Sequence, residues 1–415
     1  MIVKVLVIGG GGREHALAWR LNQSPSVSRL FAAPGNPGIA QVAECISSND
    51  HLRLAEELDI DLTVVGPEVP LVDGVVDAFR AVGRKIIGPT QANAQLEGSK
   101  VFAKNFFAKH AIPTAAFQAV TTRQDALRVL DAFRYPVVLK ADGLAAGKGV
   151  TIAYDRAEAA AAVDALGPNL VIEEFLEGEE VSFIVLSDGR DVLPFAPCQD
   201  HKTVFDGDTG PNTGGMGAYS DARILSDAEQ ETILNRIIRP TVEITGFTGF
   251  LFAGLMMTAD GPKLLEFNVR LGDPETQPLM HRMVADFGQV LLASAEGRLD
   301  QATCNWLPDP SVCVGLASGG YPGAFKPGLP ITGIAEAESE GATVFQAGTR
   351  DGAGGLETAG GRVLGVTARG TGLPEAIGNA YRAAARISFD DMHFRKGIGR
   401  KGLRRYNETK PVAGT

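Results

Sequence analysis

The first hundred residues alternate short apolar runs with helix-like stretches, and this alternation restricts the possible folds more than any other feature of the chain. The runs cover residues 3–8, 30–33, 62–65 and 85–87. A strand that is apolar on both faces has to be covered on both, and helices between such strands make the connections parallel. The pattern predicts a doubly wound parallel sheet. Ligands of such sheets bind beyond the carboxyl ends of the strands. There the sequence places four glycines at 9–12, PGNPG at 34–38, GPE at 66–68 and GPT at 88–90.

With 415 residues the chain is too long for one core, so two or three domains are expected. The texture changes near Ser99, which can cap a helix over 100–110 that Ile112-Pro113 ends. Residues 136–140 and 149–154 read as a hairpin around a glycine-rich loop. A helix over 157–166 and strands at 170–175 and 181–186 follow. Residues 206–219 hold five glycines and no helical pattern. Residues 71–82 and 226–243 read as helices, and 252–258 with 263–269 as a hairpin. After Leu307-Pro308-Asp309-Pro310 a third unit has strands near 312–317, 343–347 and 362–366 and a helix over 375–387. The expected fold is α/β: an N-terminal doubly wound parallel-sheet domain (1–98), a central α+β domain (99–307) and a C-terminal β-rich α/β domain (308–415).

A net charge of -10 argues against wrapping nucleic acid or lying on anionic lipid. The four cysteines lack CxxC spacing, which argues against a disulfide framework or structural zinc site and fits a reducing compartment. No apolar run reaches a membrane span, and the N-terminus reads as a strand rather than a signal peptide. We expect a cytoplasmic protein without nucleic-acid or membrane partners.

Four segments carry residues suited to chemistry. Lys140-Ala-Asp-Gly-Leu-Ala-Ala-Gly-Lys-Gly149 can cradle phosphate through backbone N–H groups and lysine charge. It is not a P-loop. Only three residues separate Gly143 from Gly147, and glycine rather than Ser or Thr follows Lys148; a plain flexible hairpin loop is the alternative. The segment 173–180, EEFLEGEE, places carboxylates beside Phe175 and Leu176 at a strand end, which suits adenine and ribose, or simply a solvated turn. In 265–270, LEFNVR, period two puts Glu266, Asn268 and Arg270 on one face. Residues two apart lie about 6.5 Å apart along a strand, so a carboxylate and an amide can share a hard cation that bridges phosphates. An amphipathic strand with a polar outer face is the alternative. Lastly, Gly9–Gly12 precede a helix whose N-terminus can hold an anion. Glu14 breaks the G-x-G-x-x-G pattern, which speaks against a nicotinamide dinucleotide. No Ser-His-Asp set or G-x-S-x-G is present.

The order of these segments resembles the ATP-grasp superfamily. The blocks GGGREHALAW, APGNPG, GPEVPLVDGVVD, GPTQANAQLEGSK, KADGLAAGKGV, VIEEFLEGEEVSF, QDHKTVFDGDTGPNTGGMGAYS and EFNVRLGDPETQP resemble its phosphoribosylamine–glycine ligase family. GGYPGAF and GGRVLGVTA extend the likeness through the C-terminal part. The resemblance makes the central unit an ATP-grasp domain with a mobile lid at about 114–180. It implies ligation of glycine to 5-phosphoribosylamine through glycyl phosphate, with ATP as co-substrate and Mg2+ or Mn2+ bound, by a chain acting as a monomer. Carried over residue by residue, Lys100 and Lys140 contact the ATP phosphates, and Gly143, Gly147 and Lys148 close over them. Glu173, Glu174 and Leu176 hold adenine and Glu180 ribose. Glu266 and Asn268 bind metal, and Arg270 and Lys148 act in catalysis. Gly10, Gly11, Gly12, Arg13, Glu14, Asp208, Pro211, Asn212, Gly215 and Asp273 shape the substrate sites.

The chemistry agrees, because phosphoryl transfer asks for positioning and charge neutralisation rather than a covalent nucleophile. Two departures stand out. Gly254 occupies the place where many ATP-grasp enzymes carry a further acid, so a second metal site would need a loop acid. The segment FRKGIGRKGL near the C-terminus is more basic than the family pattern suggests. The nearest rival reading is an ATP-grasp ligase for another acid and amine. A nicotinamide-dependent dehydrogenase or a non-catalytic nucleotide sensor are the readings from other classes.

Overall fold

The computed structural model describes residues 2–144 and 149–408. Its N-terminal sheet has five parallel strands in the order Glu44–Cys45, Val27–Pro34, Val3–Gly9, Leu62–Val65, Ile86–Ile87. The first strand of the chain is therefore central, with neighbours paired on both sides. Its alternate side chains enter two different cores: Leu6 and Ile8 one, Val3, Val5 and Val7 the other. That is why the run is continuously apolar. The helix expected over 71–82 is two helices, Glu68–Val72 and Val75–Ala81. Gly74 breaks it at φ +87°, a left-handed conformation that a helix cannot continue through.

Residues 117–174 form a small antiparallel sheet in the order Phe117–Val120, Leu170–Glu174, Val137–Ala141, Val150–Ala153. Helices Arg123–Leu130 and Arg156–Leu166 cover one face and close a separate core that includes Leu130, Leu139, Val163 and Ile172.

A nine-stranded sheet forms the rest of the frame. Its main path runs Gly261–Asn268, Thr248–Thr258, Glu179–Asp188, Cys198–Asp200, Gly217–Ser220, Ser311–Ala317, Arg362–Arg369, Thr343–Gln346. The strands near 312–317, 343–347 and 362–366 thus continue the central sheet: Ala218 pairs with Cys313 and Tyr219 with Val312. The stretch 206–219 is more ordered than its glycines suggest, with a hairpin of Thr203–Phe205 and Thr209–Asn212. Helix Gly12–Asn22 packs against Thr276–Arg282, which seats the N-terminal sheet on the large one. Among the described residues no helix is long and apolar enough to cross a membrane.

Candidate active site

The small sheet meets the large one where Lys140 Nζ donates to Leu265 O (3.3 Å). Val137 and Leu139 enter the small core, so alternation turns Lys140 to the opposite face. The same rule turns Leu170 and Ile172 inward and Glu173 outward. Lys100 and Lys104 lie one turn apart on helix Lys100–Lys109, which Ser99 caps. The Glu173 carboxylate ion-pairs with both Lys104 and Lys140, and all three side chains are buried. Burial alone would raise Glu173; the two ammonium groups outweigh it and hold the carboxyl below its ordinary range. Burial in turn pushes Lys104 down to about 8. Glu173, expected at adenine, also anchors Lys140 through this ion pair.

Lys100 Nζ donates to Gly143 O (2.7 Å) at the edge of the glycine loop. Gly147 and Lys148 lie outside the described residues. Glu174 accepts from the Ala116 N–H (3.0 Å) and from Lys263 (3.3 Å). Leu176 is buried in the turn between the two sheets, and Glu180 ion-pairs with Lys202.

Across from Lys140, the Glu266 carboxylate makes no hydrogen bond or ion pair with any described residue. Burial would raise its carboxyl, yet Lys202, Lys140, Lys100 and Arg270 together hold it low. Asn268 Oδ1 accepts from Arg270 (3.2 Å), whose guanidinium also binds Glu97 (2.7 Å) and approaches Glu68 (3.4 Å). An ionised, unpaired carboxylate and an amide oxygen on one strand face form an oxygen-only donor set, which fits a hard divalent cation. Among the described residues no group of three or more His, Cys, Asp or Glu is placed to hold a metal ion by itself. A cation here would therefore take its remaining ligands from bound phosphate and water. Gly254 lies directly opposite Glu266 and has Ser182 as its neighbour on the other side. Ser182 Oγ donates to the loop acid Glu275 (3.0 Å), which is buried.

A second polar cluster joins this one through Glu68, which lies 4.0 Å from Arg13. Arg13 Nε donates to Glu14 (2.6 Å), and the other Glu14 oxygen accepts the Gly11 N–H (2.6 Å). Both oxygens of Glu14 are thus engaged. Glu14 caps its own helix and takes one N–H at the turn where an anion site was expected. Gly10 lies so close to the PGNPG loop that a Cβ would sit 2.4 Å from Gly35 O. Gly12 abuts Gln277. Asp273 accepts from Gln277 (2.8 Å) and Arg362 (2.9 Å), and Arg362 also donates to Gly214 O (2.7 Å). Gly215 packs on Pro274. The N-terminal turn, the 271–275 loop with the start of the helix after it, and a C-terminal strand therefore converge, and the Gln277 side-chain oxygen Oε1 is buried there without a partner. Asp208 and Pro211 stand apart: Asp208 pairs with Arg395 and Lys401, and Pro211 is exposed. Asn212 pairs with Thr203 in the hairpin.

The sequence reading passed over Lys104, Lys202, Glu97, Glu68, Gln277 and Arg362, and named Glu275 only as part of a polar loop that could reach the same space. Lys104 stands four residues after Lys100 and could have been found by helical spacing. Arg362 reaches the site from a strand about ninety residues away from Asp273 in sequence (89 positions), and no local pattern announces it.

The chain matches three family models of phosphoribosylglycinamide synthetase: the N domain over 3–97, the ATP-grasp (A) domain over 98–276 and the C domain over 311–401. It is 50% identical to a phosphoribosylamine–glycine ligase of Allochromatium vinosum, with 97% of this chain and 99% of that one aligned. Against the phosphoribosylamine–glycine ligase of Escherichia coli K12 it is 51% identical with the same coverage. The crystal structure of the Thermotoga maritima phosphoribosylamine–glycine ligase superposes with a TM-score of 0.83 at 32% identity, covering 95% of this chain and all of that one (100%). A biotin carboxylase from Campylobacter jejuni, crystallised with a nucleotide, shares the fold at a TM-score of 0.72 and 14% identity, covering 99% of this chain and 98% of that one. Matched from residue 3 to residue 401 by the three domain models, the chain belongs to the phosphoribosylglycinamide synthetase family of ATP-grasp proteins.

Proposed function

We propose that the chain is a phosphoribosylamine–glycine ligase of purine biosynthesis. It would join glycine to 5-phosphoribosylamine with ATP, releasing ADP and phosphate and giving the ribonucleotide of glycinamide. The observation that carries this reading is Glu266, ionised and unpaired among Lys100, Lys140, Lys202 and Arg270, in a chain of this family. Such a layout suits a triphosphate with a divalent cation, Mg2+ or Mn2+, held by Glu266 and Asn268. A cation there supplies charge neutralisation on the phosphates.

The glycine carboxylate attacks the γ-phosphorus of ATP and ADP leaves, forming glycyl phosphate. The amine of phosphoribosylamine then attacks the carbonyl carbon, the C–O bond to phosphorus breaks and phosphate departs with its electron pair. Lys100 and Lys140 hold the phosphates, and Glu173 keeps Lys140 aimed at them. Glu174, Leu176 and Glu180 surround the adenosine, with Lys202 bridging Glu180 to the phosphates. Arg270, fixed by Glu97, steadies the acyl phosphate. Gly143, Gly147 and Lys148 cover an intermediate that water would hydrolyse. The convergence of Gly10–Gly12, Arg13, Gly215, Asp273, Gln277 and Arg362 suits the phosphate and amine of phosphoribosylamine beside glycine.

The domain limits follow the same reading: 1–98, 99–307 with a lid over about 114–180, and 308–415. The working unit in this reading is a monomer. Four free cysteines favour the cytoplasm.

The test is ADP release that requires both glycine and phosphoribosylamine. Glu266→Gln should lower it by more than about 100-fold while the thermal melt stays in place, because one fixed charge at the reacting phosphates is removed and no packing is. ADP release with other acids but not with glycine would reject this reading.

A further inference from the structure

The basic stretch near the C-terminus has no place in the chemistry above, yet the structure gives it many partners. It lies behind the stretch 198–203, which brings Lys202 to the site. Alternation divides that stretch cleanly. Cys198, Asp200 and Lys202 point toward Glu275 and Glu180. Gln199, His201 and Thr203 point the opposite way, and each is tied to the C-terminal segment.

Arg395, 2% exposed, donates from Nη1 to Thr203 O (3.0 Å) and Thr203 Oγ1 (2.9 Å) and from Nη2 to Asp208 Oδ1 (2.8 Å). The Gly399 N–H donates to His201 Nε2 (3.3 Å). Arg405 donates to the Tyr219 hydroxyl (3.2 Å), which donates to Gln199 Oε1 (2.5 Å). Arg404 and Arg405 both ion-pair with Glu179, next to the Glu180 that holds Lys202. Two further ties fasten the hairpin: His393 Nε2 to Val204 O (2.8 Å) and the Lys396 N–H to Asp206 (2.8 Å).

Such clamps matter at this place. Residues 201 and 202 fall between the strands Cys198–Asp200 and Thr203–Phe205; the His201 backbone bonds Gly217 O and the Met216 N–H, and Lys202 O accepts from Thr213. A slip of one residue would exchange the two faces and take Lys202 away from Glu266. A lysine side chain is long and flexible, so its direction has to be imposed from its backbone and its partner.

We propose that the segment 393–405 is a positioning device that aims Lys202 at the nucleotide phosphates, with Arg395 as its principal residue. The inference rests on the ligase reading, in which Lys202 acts on those phosphates.

A double-mutant cycle on glycine- and phosphoribosylamine-dependent ADP release tests it. Lys202→Met should reduce kcat strongly. Arg395→Met should reduce kcat by about 10-fold with the KM for ATP changed less than about 2-fold. In the Lys202→Met background, Arg395→Met should add less than about 2-fold, because residues that act through one another are not additive. Arg395→Lys should regain part of the rate. Losses that multiply in the double variant would overturn the proposal, as would a full rate in Arg395→Met. If Arg395→Met does not fold, Thr203→Val removes one acceptor of the same clamp and carries the same cycle with the same criterion. Absence of glycine-dependent ADP release in the unmodified protein would instead remove the ligase reading itself.

Discussion

Two buried carboxyl groups show how neighbours decide what a residue does. Glu173 is enclosed with Lys104 and Lys140, and removing its charge strands two ammonium groups in the interior. Breaking one member of a buried ionic set typically costs about 3–5 kcal/mol. Glu173→Gln should therefore lower stability by several kcal/mol in chemical denaturation; a loss below about 1 kcal/mol would mean that water reaches these lysines. Asp200 is the opposite case. Burial pushes its carboxyl up to about 7, and Glu275 and Glu180 add to the rise while Lys202 opposes it. Between pH 4 and 7 the folded state then holds a proton that the unfolded state has lost, so this group's contribution to stability falls as pH rises through that window. Asp200→Asn should raise the melting temperature, and by more at pH 8 than at pH 5. An equal shift at both pH values would show that Asp200 keeps an ordinary carboxylate titration in the folded chain.

At the scale of elements, what could be read in advance is what local periodicity controls. The strand over 3–8 shows in its apolar run because both its faces are buried, and the capped helix after Ser99 shows because Ser99 Oγ accepts the Phe102 N–H. The face shared by Glu266 and Asn268 follows from strand alternation alone. Breaks and long-range meetings were harder to see. The 71–82 stretch has helical periodicity throughout, and only the φ of Gly74 divides it. Gly74→Ala should cost about 1–2 kcal/mol, because a Cβ disfavours the left-handed region. Calorimetry would register it, and no change would mean that the two helices can merge. For Glu173 the strand gives its direction but not its neighbours: Lys104 approaches from a helix about seventy residues away (69 positions). Arg362, from a strand of the third unit, could not have been foreseen at Asp273 by any spacing rule.

For the whole molecule, the distribution of cores sets which parts move together. The large sheet passes without interruption from Gly261–Asn268 through Gly217–Ser220 into Ser311–Ala317, so the central and C-terminal parts share one hydrogen-bonded frame. The small sheet has its own core and meets that frame largely through polar contacts, among them Lys140 with Leu265 O and Glu174 with Lys263. A unit with its own core and polar contacts to its neighbour can open as a unit at a free energy well below global unfolding. Hydrogen exchange should therefore show the amides of 117–120, 137–141 and 170–174 exchanging together and faster than those of 248–258. A non-hydrolysable ATP analogue with Mg2+ should slow them by about 10-fold or more, since a ligand that bridges two units stabilises only the closed arrangement. If both sets exchanged at one rate and the analogue shifted them equally, the small sheet would belong to the frame.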